Sequence, residues 1–230
     1  MNSLNDKKRA LVISPHPDDA ELGMGGTIAK MVSSGWDICV VDLTDGEPTP
    51  FGSKEKRAKE TALASKILNI TNRICLQMPN RRLEPTLDNR RKLAEVIRQF
   101  QPEMMFVPCR PDWHPDHVAA TQLTEDARFE AKYHQTNLKG HPHWTPALYY
   151  YFSPHRLNYP KPSFIVDISD FWKKKMEAIS AYKSQIINSE TNQPISLVEK
   201  CEVVSKFSGI SISAQYGEPF ISNQPISINL

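Results

Sequence analysis

Four cysteines in 230 residues, Cys39, Cys75, Cys109 and Cys201, stand far apart and form no C-x-x-C pair. Their scarcity excludes a disulfide framework or a thiolate metal clip as the organising device. Lying mostly in apolar, strand-like runs, they read as reduced core thiols of a cytoplasmic protein. Long hydrophobic runs are also missing: nothing approaches the ~20 apolar residues of a membrane span. The apolar stretch after Lys7-Lys8-Arg9, Ala10 to Ile13, is too short for the hydrophobic region of a secretion signal and ends in Ser-Pro. Net charge is small, with 28 Lys and Arg against 26 Asp and Glu. No global field therefore draws the chain to nucleic acid or an anionic membrane, and a charged ligand has to be held locally. There is no internal repeat, low-complexity segment or clear linker.

What is present is a chain near the upper size of one domain, long enough to bury a core without staples. We read residues 1–230 as a single domain, with 1–8 a flexible start. Many of the 18 prolines fall after residue 140, so that part is expected to be rich in loops. The apolar runs Leu11–Ser14, Ile38–Leu43, Ile74–Leu76 and Met104–Val107 read as strands. Between and after them run helical patterns. One places Met24, Ile28, Met31 and Val32 on a face; a second carries Leu63, Ile67 and Ile70, with Ser53 as N-cap; a third carries Leu93, Ile97 and Phe100; a fourth spans about Asp116 to Tyr133. Strands apolar on both faces, alternating with amphipathic helices, imply an α/β fold: a Rossmann-like three-layer domain with a mainly parallel sheet. Leu148–Phe152, Phe164–Asp167 and helices near 170–184 and 196–206 are expected to add strands and a lid as a C-terminal extension.

Two unusual stretches follow strands one and four: His16-Pro-Asp-Asp19 and His114-Pro-Asp-His117. In sheets of this kind ligands sit beyond the carboxyl ends of the strands, so both stretches are expected on one rim. An isolated His-Pro-Asp is most often a turn. Two copies at one rim place several carboxylates together, which is costly without a cation. Two imidazoles and a carboxylate, with positions left to water, are the ligands of a catalytic metal site. The carboxylates and imidazole left over match what a hydrolase needs: a base for the metal's water and a donor for the oxyanion. Gly23-Met-Gly-Gly26 imitates a dinucleotide fingerprint, with Asp42 some twenty residues on. Its spacing is wrong and the acidic turn before it repels a pyrophosphate, so these glycines read as sites of close backbone packing.

Pro15-His-Pro-Asp-Asp-Ala-Glu-Leu-Gly-Met-Gly-Gly-Thr27 with Asp112-Trp-His-Pro-Asp-His117 resembles the PIG-L/LmbE-type zinc-dependent N-acetylglucosaminyl deacetylases. Within them the chain looks most like the bacillithiol-biosynthesis branch, which deacetylates N-acetylglucosaminyl malate. Arg57-x-x-Glu60, Pro79-Asn-Arg81, Lys161–Asp167, Ala181–Gln185 and Gln215–Phe220 also have counterparts there. The resemblance implies zinc on His16, Asp19 and His117, with Fe2+ an alternative occupant in the cell. It implies Asp18 as general base, and His114 as the cation facing the oxyanion, oriented and kept charged by Asp116. Arg57 would meet the substrate, a small N-acetylglucosaminide. That branch commonly carries Arg just before the second motif's His, where this chain has Trp113, a candidate to stack on the sugar or wall the pocket; Arg110 is the nearest replacement for the Arg. Tyr216 is a further candidate to reach the substrate. The resemblance also implies a homo-oligomer, with neither nucleic acid nor membrane as partner.

Other readings compete. Another N-acetylglucosaminide such as a chitooligosaccharide fits the same chemistry. Two His and one Asp also form the facial triad of non-haem Fe(II) oxygenases, although Asp18 and His114 then have no task. A silent metal- or sugar-binding module would keep the ligands and lose Asp18 or His114, both of which are present. Arg81 and Arg82 read as surface charges and Tyr149-Tyr-Tyr151 as a half-buried strand. His134, His141, His143 and His155 read as loop or surface residues.

Overall fold

The computed structural model describes residues 7–155, 158–190 and 195–226, without the side chains of 187–190. Of the expected flexible start, 1–6 lie outside the described residues. The described residues form seven strands: β1 (Arg9–Ser14), β2 (Asp37–Thr44), β3 (Asn72–Met78), β4 (Met104–Pro108), β5 (Ala147–Tyr151), β6 (Phe164–Asp167) and β7 (Gly217–Ser222). They form one sheet in the order β3-β2-β1-β4-β5-β7-β6. Pairing is parallel from β3 through β5, and only β7 runs antiparallel, against both β5 and β6. The helices are α1 (Asp19–Ser33), α2 (Lys54–Leu68), α3 (Leu87–Phe100), α4 (Pro115–Glu130), α5 (Trp172–Ser180), α6 (Lys183–Glu190) and α7 (Leu197–Ile210).

Alternation along the central strands divides the core. Leu11, Ile13 and Val41 face one side with Leu93, Ile97 and Leu123 of α3 and α4. Val12 and Val40 face the other with Ile28 of α1 and Ala178 of α5. Successive residues of a strand point to opposite faces, so strands covered on both sides are apolar throughout. The expected three layers follow. Edge strand β3 is the exception and is largely exposed. Cys75 lies there and is exposed, so only Cys39, Cys109 and Cys201 are the core thiols expected of all four; none of the four is in a disulfide.

The expected N-cap holds: Ser53 accepts from the Lys56 N–H. The helix expected from Met24 already begins at Asp19 and is kinked at Met24, where φ is -149° and ψ 26°. Beyond the kink, the Gly26 and Thr27 N–H groups donate to the carboxylate of Glu218 at 2.9 and 2.6 Å, and Lys175 Nζ donates to it at 2.6 Å. Both Glu218 and Lys175 are buried, so β7 supplies a charged cap to the second half of α1. The glycines serve packing: a Cβ at Gly26 would lie 2.7 Å from Ile168 Cδ1, and one at Gly23 would overlap the Tyr151 ring. No described helix is long and apolar enough to cross a membrane.

Candidate metal centre and active site

β1 and β4 are neighbours, so the turns at their carboxyl ends meet although His16 and Asp116 are 100 positions apart. The first turn is pinned by Ser14, whose Oγ donates to the His16 carbonyl at 2.6 Å and accepts from the Ala20 N–H at 3.2 Å. Asp18 follows with φ 126°, a conformation that side chains with a Cβ rarely adopt. The second turn runs into α4 with Pro115 in the first turn, and His114 is itself the N-cap: its Nδ1 accepts from the Asp116 N–H at 3.2 Å.

Two buried imidazoles converge on Asp19. His16 Nδ1 lies 3.0 Å from Asp19 Oδ2 and His117 Nε2 lies 3.2 Å from Asp19 Oδ1. The other ring nitrogen of each is held by a second carboxylate, His16 Nε2 by Asp116 at 3.0 Å and His117 Nδ1 by Asp112 at 3.1 Å. A metal-binding histidine is characteristically fixed in this way through its second nitrogen. The inward His117 Nε2 is buried and too poorly aligned with Asp19 to make a hydrogen bond. One candidate atom each from His16, Asp19 and His117 lies within 4.8 Å of the others. An orphaned nitrogen among two imidazoles and a carboxylate fits a divalent cation.

The electrostatics follow from this crowding. Burial depresses the His16 imidazole, but its bonds to Asp116 and Asp19 outweigh burial and raise it to about 9. His117 is likewise lowered by burial, yet Asp19 and Asp112 raise it to about 10. Asp18 is pushed up to about 7 by burial, with Arg57 opposing. Arg57 is buried, and its Nη2 lies 3.2 Å from Asp18 Oδ2 while Nε and Nη1 have no hydrogen-bond partner among the described residues.

Several expectations need correction. Asp116 does not hold the His114 ring. Its carboxylate accepts from His16 and from the Arg81 and Leu83 N–H groups, at 2.7 and 3.2 Å for the last two. Nor is His114 kept charged: burial, then the neighbouring His16 and His117, lower it to about 4. With Nδ1 accepting from a backbone N–H, its neutral ring carries the proton on Nε2. Arg110 does not line the cleft; it donates to Glu125 and Gln122 of α4. Trp113 is 74% exposed and is not a wall of the cleft. Tyr216 is stacked flat on Trp172, with ring centroids 4.2 Å apart, and does not reach the cleft.

Arg57, Asp18, His16, Asp19 and His114 all border one cleft of about 970 Å3, counted with its open mouth. Gln185 of α6 and Leu197 of α7 flank it, as expected of a C-terminal extension. Arg81 is exposed as expected but stands in its wall. His155, expected on a loop or surface, also lines the cleft, its ring centroid 5.6 Å from that of His117. Asp112 is the other residue that sequence reasoning gave no role. It stands inside the motif, two positions before His114, and that was its only signal.

Fold and site together define an α/β protein with a His/Asp cluster at the sheet rim that could hold a metal, beside a half-buried carboxylate. The chain belongs to the PIG-L family (GlcNAc-PI de-N-acetylase), whose model matches residues 11–128. It is 31% identical over 198 residues to the diacetylchitobiose deacetylase of Thermococcus kodakarensis, covering 79% of this chain and 71% of that one. The 4-oxalmesaconate hydratase of Pseudomonas putida is 28% identical over 199 residues, 80% and 76% of the two chains. Among solved structures, the conserved protein TT1542 from Thermus thermophilus superposes with a TM-score of 0.87 at 35% identity and 96% of each chain. The bacillithiol branch is more distant than expected: the probable N-acetyl-alpha-D-glucosaminyl L-malate deacetylase 2 of Bacillus anthracis is 24% identical over 204 residues, 82% and 86% of the two chains.

Proposed function

We propose that the protein removes the acetyl group from an N-acetylglucosamine conjugate with the help of a divalent cation, zinc as the leading choice, held by His16, Asp19 and His117. The observation that carries this reading is Asp18, a half-buried carboxylate that lines the cleft beside that trio, pairs with the buried Arg57 and is pushed up to about 7. A cation held there would acidify a water and polarise the amide carbonyl. Asp18 is the base that takes the water's proton, steered by Arg57 Nη2. His114 donates from Nε2 to the carbonyl oxygen as negative charge grows there, a role that suits a neutral ring fixed by a backbone amide. Asp112 and Asp116 set the tautomers of His117 and His16 and leave one nitrogen of each free for the cation.

For the aglycone we favour a second sugar, as in diacetylchitobiose. The 31% identical deacetylase supports it, and so does the commitment of Arg110 to Glu125, which leaves that guanidinium unavailable to a malate carboxylate. The purified protein, loaded with zinc or Fe(II), should release free amine from N,N'-diacetylchitobiose and lose this activity to a chelator. Release from N-acetylglucosaminyl malate alone would overturn the choice of aglycone. Hydration of 4-oxalmesaconate without amine release from any N-acetylglucosaminide would overturn the deacetylase reading.

A further inference from the structure

His155 is the one imidazole of the cleft to which neither the cation nor the oxyanion gives a task. It comes from the turn Ser153-Pro154-His155 after β5, where its N–H donates to Ser153 Oγ at 3.2 Å. Because β5 pairs in parallel with β4, Pro108 opposite Tyr151, this turn arrives beside His114 and His117. Ring centroids are 6.1 Å from His155 to His114 and 5.6 Å to His117. His155 does not belong to the trio His16, Asp19 and His117 or to the overlapping group His16, His114 and Asp116, which could also hold a metal, and its ring hydrogen-bonds no described residue. Half-buried on the cleft wall, the ring has its donor and acceptor left for a ligand.

The sheet order says where that partner comes from. Asp18 is held by Arg57 of α2, the helix after β2, whereas His155 follows β5. The strands bearing the metal-competent trio, β1 and β4, lie between. A carbonyl addressed to His16, Asp19 and His117 is thus flanked by the base on the β2 side and by His155 on the β5 side. We propose that His155 is a specificity residue that hydrogen-bonds a hydroxyl of the sugar ring bearing the acetamido group. This rests on the deacetylase reading above. An imidazole offers one donor and one acceptor, which matches a hydroxyl.

The test is steady-state kinetics on N,N'-diacetylchitobiose for the wild type, His155→Phe and His155→Gln, with metal content measured on each. Loss of one neutral hydrogen bond predicts a KM for His155→Phe raised about tenfold and a kcat within about threefold of wild type. Metal content should be unchanged, and His155→Gln, which keeps a donor and an acceptor, should recover most of the KM. An unchanged KM, a kcat that falls more than KM rises, or a loss of metal would overturn the assignment while leaving the deacetylase reading intact. Absence of amine release by the wild type from any N-acetylglucosaminide would overturn that reading and this one with it.

Discussion

His16 and His117 turn opposite ring nitrogens to the same carboxylate: Nδ1 of the first and Nε2 of the second converge on the two oxygens of Asp19. Each can do so because a second carboxylate grips the far side of its ring. Asp116→Asn and Asp112→Asn should therefore each weaken metal affinity about 10–100-fold, the usual effect of removing such a partner. Competition with a chromophoric chelator measures it; wild-type affinity in both variants would show that the rings hold their tautomers unaided.

Asp18→Asn keeps size and loses the proton acceptor. It should retain the metal while turnover falls about 10²–10⁴-fold. Free-amine release at matched metal content decides, and unchanged turnover would remove Asp18 from the mechanism.

The backbone at Asp18 supplies a separate prediction. With φ 126°, any side chain there is strained, by about 1–3 kcal/mol. Asp18→Gly and Asp18→Ala both lose the carboxylate and its pairing with Arg57, but only glycine relieves the backbone. The glycine variant should be the more stable of the two by that amount in urea unfolding, and equal midpoints would contradict the strain.

Without metal, His16 and His117 hold protons more tightly folded, at about 9 and 10, than at the ordinary value near 6.5. Native protein then binds more protons than unfolded, so this stabilisation is complete below about pH 6.5 and is lost as pH rises through about 9 and 10. Chelated protein should melt at progressively lower temperature across that window. Added zinc should stabilise increasingly over the same range, since the cation takes the place of those protons. A metal-induced shift in Tm that stays flat from pH 6.5 to 10 would refute the protonation of these rings.

Glu218 tests the packing of α1. Replacing it by Gln leaves Lys175 as an uncompensated buried charge and weakens the cap on Gly26 and Thr27. A loss of about 3–5 kcal/mol is expected. In Glu218→Gln combined with Lys175→Met, urea unfolding should recover part of it; no recovery would mean that the cap matters more than the charge.

The strands β1, β2 and β4 were legible in the sequence because burial on both faces leaves an uninterrupted apolar signature in Leu11–Ser14, Ile38–Leu43 and Met104–Val107. The pairing of His16-Pro-Asp-Asp19 with His114-Pro-Asp-His117 was legible because parallel sheets gather such turns at one rim. What escaped reading depended on neighbours remote in the chain. His155 has no ligand spacing, and it enters the cleft only because β5 docks on β4. Arg110 looks free until α4 brings Glu125 to it, and Tyr216 until Trp172 covers it. The carboxylates of Asp112 and Asp116 were both in view. Which ring each holds is decided by the first turn of α4: it presents the Asp116 N–H to His114 and sends that residue's carboxylate to His16.

The adjacency of β1 and β4 has a consequence for the order in which the chain becomes competent. On the proposed ligand set, His16 and Asp19 are synthesised about a hundred residues before His117. A cation that met the growing chain early would find two ligands without the third. Tight capture would then wait for β4 to dock, and metal uptake would be a late event that reports on the completed sheet.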